Sequence, residues 1–152
     1  MSAHTAEVIL AEIGADISRF PSAGHLASWA GVCPGNYESA GKSPSGRTRP
    51  GDPWLKGELG QAAISARRTK DTCLAARYRR LVGRRGRRRA LVALQHSILI
   101  SIWHMFTRDI EYANLGGEYF LERTGKTRAT HRLVSQLNRL GYQVNLRSVE
   151  AT

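Results

Sequence analysis

Two hydroxyl side chains able to act as nucleophiles, Tyr37 and Ser39, precede four cations, Lys42, Arg47, Arg49 and Lys56. A hydroxyl beside several cations suits attack on a phosphodiester. The cations would offset the charge that builds on the phosphate oxygens in the transition state. Gly41 and Gly46 let the backbone come close to a ligand or turn with positive φ. The residue types leave a plainer alternative open, a surface loop whose Lys and Arg only hold a nucleic-acid backbone.

Residues 36–52 are rich in Gly, Pro, Ser and Thr, which predicts a loop. Helical patterns flank it and must position it. Ser2 or Thr5 would cap a first helix to about Ile13, with Val8, Ile9 and Ile13 on one face and Gly14 as its stop. Residues 16–21 read as a turn. Ser22 would cap a second helix over about 23–30, with Leu26 and Trp29 inward, ended by Gly31 and Pro34. This start is like half of a helix-hairpin-helix unit, a module that holds DNA through backbone contacts, but it lacks the Gly-rich hairpin. After the loop, Pro53 suits the first turn of a third helix. Leu55, Leu59, Ala62, Ala63 and Ala66 recur there at helical spacing to about Arg68. Gly57 and Gly60 weaken that helix locally and allow close approach of another backbone or of a DNA strand.

A fourth helical segment, 73–82, runs into Arg84-Arg85-Gly86-Arg87-Arg88-Arg89. From Arg77 to Arg89 there are eight arginines. A solvated face, or a helix end offering cations to its own dipole, is the plain reading. So many like charges repel unless a polyanion neutralises them, so Arg84, Arg85, Arg87, Arg88 and Arg89 are expected to contact nucleic-acid phosphates. Such contacts give affinity and register but little base specificity. Residues 90–107 predict the core helix, with Leu91, Leu94, Ile98, Ile102 and Met105 on the 3.6 period. His96 and His104, eight apart, suit packing or capping better than a metal pair, which wants a spacing of four. Residues 114–125 read as irregular. Tyr112, Tyr119 and Phe120 there would fill the core or stack on bases. Thr127 or Thr130 would cap a last helix carrying Leu133, Val134, Leu137 and Leu140, ended by Gly141. Residues 142–147 alternate in strand fashion, but one strand makes no sheet.

A chain of 152 residues with 23 Lys and Arg against 12 Asp and Glu carries a formal charge of +11, so a polyanion is the expected partner. Nucleic acid fits better than a membrane surface, because the basic residues are mixed with Gly rather than set against a continuous apolar stripe. Residues 91–106 are interrupted by Gln95, His96, Ser97, Ser101 and His104, which predicts a segment too short and too polar to span a bilayer. Cys33 and Cys73 form no CxxC, so neither a disulfide framework nor a zinc site is expected, and a reducing cytosol is the expected compartment. The acidic residues are scattered and assemble no two-metal carboxylate set, so no metal ligands are assigned in this chain. No Walker loop, dinucleotide fingerprint, zincin motif or nucleophile elbow occurs.

The blocks Ile13-Gly14-Ala15-Asp16-Ile17-Ser18-Arg19-Phe20-Pro21-Ser22-Ala23, Leu26-Ala27-Ser28-Trp29-Ala30-Gly31-Val32-Cys33-Pro34, Tyr37-Glu38-Ser39-Ala40-Gly41-Lys42 and Gly46-Arg47 occur in this order. With Leu140-Gly141-Tyr142-Gln143-Val144 near the end, they resemble the C-terminal domain of the Piv-like DEDD transposases of insertion-sequence family 110. The resemblance implies a recombinase domain in which Ser39 attacks a DNA phosphodiester and forms a 5′-phosphoserine intermediate. It implies a structured guide (bridge) RNA, action as an oligomer, and Mg²⁺ held by a separate N-terminal RuvC-like domain rather than by this chain. That domain is absent from residues 1–152, so the chain is expected to bind nucleic acid without completing recombination alone. Lys42 and Arg47 fall within the matched blocks and are expected phosphate contacts, as are Arg49 and Lys56. The expected fold is mainly α. It is a compact helical domain over 1–152, with a helix-hairpin-helix-like start, a central Gly/Ser/Pro catalytic loop and a short C-terminal strand or extended segment.

Overall fold

Seven α-helices account for most of the computed structural model, which describes residues 1–33 and 48–147 (124 and 126 by backbone only). Helix α1, Ala3–Ile13, begins where the Ser2 hydroxyl accepts from the Thr5 amide at 3.1 Å, as its sequence predicts. Gly14, with φ at +79°, ends it. A single 3-10 turn, Ile17–Arg19, capped by Asp16, occupies the expected turn. Helix α2, Ala23–Trp29, starts on the Ser22 cap, whose hydroxyl also meets His25 Nδ1 at 2.7 Å. It ends in a Schellman motif. The Gly31 amide donates to Ser28 and the Val32 amide to Ala27, and Val32 turns back into the core.

Helix α3, Pro53–Arg68, has Pro at its first position and is capped by the Asp52 carboxylate on the Leu55 amide at 2.6 Å. Helix α4, Cys73–Arg85, is capped by Thr72. Helix α5, Arg87–Arg108, follows after a single residue, Gly86, which ends one helix and opens the next with φ at +78°. The chain then runs irregularly to α6, Tyr119–Thr124, and α7, Lys126–Arg139. Asn114 ties that run to the start of α4, accepting from the Cys73 amide at 3.1 Å.

The core lies where α2, α3 and α4 pack on α5, with α1 laid against α3. Leu26, Val32, Leu55, Leu59, Ala63, Leu94 and Leu99 are fully buried there. At about 1.5–3 kcal/mol for each large aliphatic side chain removed from water, this cluster is the main source of stability. At 22 residues, α5 is long and apolar enough, by length and composition, to cross a bilayer, contrary to the sequence expectation. The stripe from Ala90 through Leu94, Ile98 and Leu99 to Ile102 instead faces the neighbouring helices. Gly60 serves this packing, because a Cβ there would stand 3.3 Å from the Gln95 side chain.

Three further expectations are corrected. Trp29 is not inward but 41% exposed; as the last residue of α2 it stacks on Phe20, centroids 5.3 Å apart, under the Arg19 guanidinium. Residues 119–124, expected to be irregular, form α6, whose Phe120 lies under Arg80 of α4. Helix α7 starts at Gly125 without a side-chain cap, earlier than Thr127 or Thr130. Residues 142–147, expected as a short strand or an extended segment, lie outside any helix, and no β-strand occurs among the described residues. Helix α7 packs on α6 and leaves Leu133, Leu137 and Leu140 exposed along one side.

Candidate nucleic-acid interface

Two cationic features meet at one end of the bundle. Helices α3 and α4 pack together across a four-residue connection, 69–72, so they run antiparallel. Helix α5 turns back at Gly86 and runs alongside α3 in the same direction. A Cβ built on Gly60 would stand 3.3 Å from the Gln95 side chain, so a position seven residues past the start of α3 lies beside one eight past the start of α5. At a rise of about 1.5 Å per residue, the two starts lie at the same level. The exit of the loop and the arginine corner therefore share an end, and the N-termini of both helices point toward it.

The arginine corner is built on Gly86. Arg84, Arg85, Arg87, Arg88 and Arg89 are all exposed, and within the described residues none of them has a hydrogen bond or an ion pair. Their positions divide the plain reading. Arg84 and Arg85 sit in the last turn of α4, where a cation complements the helix dipole. Arg87, Arg88 and Arg89 occupy the first turn of α5, the positive end of that helix, where cations repel the dipole. Helix α5 also lacks a side-chain cap, so its first amides face outward. Three guanidinium groups at an uncapped N-terminus make this corner favourable to an anion and unfavourable to itself.

The loop stem is the second feature. Gly31 and Gly51 flank this stem, both with positive φ, at +68° and +59°. A Cβ built on Gly31 would stand 2.8 Å from both Arg49 O and Gly51 Cα, so only glycine lets the two backbones meet. Lys56 locks the returning strand. Its ammonium donates to Arg49 O at 2.7 Å, Pro50 O at 3.1 Å and the Thr48 hydroxyl at 3.4 Å. All three of its protons thus have acceptors on the stem. The Arg49 side chain is exposed, and its charge reaches Cys33 on the opposite side of the stem. Ser39, with Tyr37, Lys42 and Arg47, lies outside the described residues.

Burial pushes the thiols of Cys33 and Cys73 up, more strongly than Arg49 and Arg77 draw them down. Both cysteines are free, and as raised thiols they are poor nucleophiles. His96, half-buried on α5, is held below its ordinary value by burial and by the Arg77 guanidinium. Among the described residues no group of three His, Cys, Asp or Glu side chains stands together. These residues do not fit a metal centre, and no step is assigned to one.

Residues 1–79 match the family described as Transposase IS116/IS110/IS902. The chain belongs to that family. The comparison with curated proteins and the comparison with solved structures each returned no match. The matched residues of this insertion-sequence transposase run from α1 through residues 34–47 and α3 into α4, ending at Arg79. They contain the whole stem, while the arginine corner lies beyond them. Membership implies DNA as the partner, in keeping with the charge of +11. Sequence reasoning missed one residue at this end and gave a second, Lys56, only a phosphate-binding role. Trp54, in the first turn of α3, is 73% exposed. The structural use of Lys56 has no signal in its residue type, because carbonyl acceptors are invisible in a sequence.

Proposed function

We propose that this transposase domain supplies Ser39 as the nucleophile for DNA strand cleavage and exchange. Ser39 Oγ bonds to the phosphorus of a DNA phosphodiester while the bond to the 3′ oxygen breaks. The serine proton leaves, the 3′ oxygen gains a proton, and a 5′-phosphoserine link holds the strand. Attack by another 3′ hydroxyl reverses this on a new strand, with no external energy source, because the phosphoester bond is kept. Arg49, Lys42 and Arg47 contact phosphates beside the serine, and the arginine corner holds the flanking backbone. The family resemblance adds a structured guide RNA, a homo-oligomer, and a separate RuvC-like domain with Mg²⁺ as partners.

The observation that carries this reading is the family match across the pinned stem that holds the serine loop. The test supplies the chain with a RuvC-like partner domain, Mg²⁺, guide RNA and labelled junction DNA. Label retained on the protein in a denaturing gel, and lost in Ser39→Ala, is the expected result. An equal adduct in Ser39→Ala would overturn Ser39 as nucleophile. Intact DNA binding with no adduct in the unaltered chain would favour a binding module that does no covalent chemistry.

A further inference from the structure

The three tryptophans of this chain are used in three ways. Trp103 is half-buried and its indole N–H donates to Phe20 O at 3.0 Å. Trp29 stacks on Phe20 beneath Arg19. Trp54 is 73% exposed and, among the described residues, has no hydrogen bond, ring contact or cation upon it. An indole left bare to water forgoes the burial that makes tryptophan useful in a fold. Its position is specific. It lies three residues after Gly51 and two before Lys56, in the first turn of α3, at the end of the bundle that also carries the arginine corner.

The surface around it is clear. Gly57, one turn further on, has open space where a side chain would stand, so a flat group can lie along the helix there. Glu58, four residues after Trp54, falls on the same face and is partly exposed. Its negative charge turns away a phosphate but not an uncharged ring. The phosphate-holding groups are the exposed arginines of the stem and the corner. Cations at the edges and a bare indole one turn from an open glycine form the pattern by which single strands are held, with phosphates on the charges and a base on the ring.

We propose that Trp54 is a binding residue that stacks on an unpaired DNA base at the stem of the serine loop. This rests on the reading of the chain as a domain that handles DNA strands. It goes beyond that reading in naming single-stranded DNA as the form recognised and Trp54 as the residue that recognises it. Strand exchange leaves a nucleotide without its pairing partner beside the cleaved phosphate, and a stacking platform there holds that end in place.

The experiment measures binding of a short single-stranded oligothymidylate, and of a duplex of equal length, to the Ser39→Ala chain. Covalent chemistry is then silent, so the result does not depend on whether Ser39 is the nucleophile. Trp54→Ala is expected to weaken single-strand binding about tenfold and duplex binding little. Trp54→Phe keeps a ring and is expected to stay within about threefold of the parent while losing most of the DNA-induced quenching of tryptophan fluorescence. Unchanged helix content by circular dichroism keeps either loss from being a folding defect. Equal loss on both DNA forms, or no loss in Trp54→Ala, would overturn the proposal. A loss confined to an RNA oligonucleotide of matching sequence would also overturn it as a DNA site.

Discussion

Gly31 and Gly51 meet backbone to backbone, and neither has room for a single added carbon. This meeting joins the two described segments that flank residues 34–47. It also places Val32 on one side and Leu55 on the other in the same buried core. A Cβ at position 51 would collide with the carbonyl of Ala30, and its positive φ adds strain. Gly51→Ala and Gly31→Ala are each expected to destabilise the fold by about 2 kcal/mol or more. Urea denaturation of the two variants checks this. The same substitution at Gly57, which has open space and no positive φ, is expected to be neutral or slightly stabilising.

Lys56 is expected to act through the stem rather than on phosphate. Lys56→Met removes three donors and leaves their acceptors without them, which should cost about 1.5–3 kcal/mol. A cation that neutralises one phosphate adds about 0.9 to the steepness of log K against log salt. If the ammonium stays on the stem, that slope is unchanged in Lys56→Met, while adduct formation falls. A shallower slope would return Lys56 to the phosphate-binding role that its charge alone suggests.

The arginine corner predicts opposite signs for stability and binding. Replacing Arg87, Arg88 and Arg89 by Gln should weaken DNA binding and flatten its salt dependence by up to about 0.9 per residue. The same change should stabilise the free protein, by about 0.3–1 kcal/mol for each cation removed from the start of α5 at low salt. Replacing Arg84 and Arg85 should weaken both binding and stability, because those cations complement the end of α4. Thermal melts at low salt beside binding titrations separate the two pairs of outcomes.

His96 gives a pH dependence of known sign. Its folded-state value lies below the ordinary 6.5, because burial and Arg77 disfavour the charged ring. The unfolded chain therefore binds the proton more readily. The stability that His96 contributes is complete above about 6.5 and is lost as pH falls from there through the folded value. His96→Gln should lose less stability than the parent between neutral pH and the mildly acidic range. Denaturation midpoints measured across that range for both proteins decide it.

Much of the fold was legible because single residues act locally. Ser2, Ser22 and Pro53 start helices where their side chains predict, and Gly14, Gly31 and Gly141 end them. The core stripe of α5 follows from its period. Trp29 misled because, as the last residue of α2, it packs on Phe20 at the end of the helix instead of entering the buried cluster. Helix α6 was missed because its aromatics look equally at home in a loop, and its packing on α4 comes from residues 40 positions away, such as Arg80 over Phe120. Within the site, the arginines were readable by type. That three of them stand at the wrong end of a dipole depended on Gly86, a single residue between two helices. The bare state of Trp54 depended on what does not cover it, which no local pattern records.

The partners of α5 all come before it in the chain. Helices α2, α3 and α4, which cover its apolar stripe, are synthesised before α5. The most apolar segment of the protein is thus made last among the elements of the core, and its docking surface is already waiting when it emerges. Everything after Asp109 is added to a core whose main helices have already been synthesised. Nascent chains arrested late enough to expose residue 109 should already resist protease across α2–α5, whereas chains arrested before α5 should not.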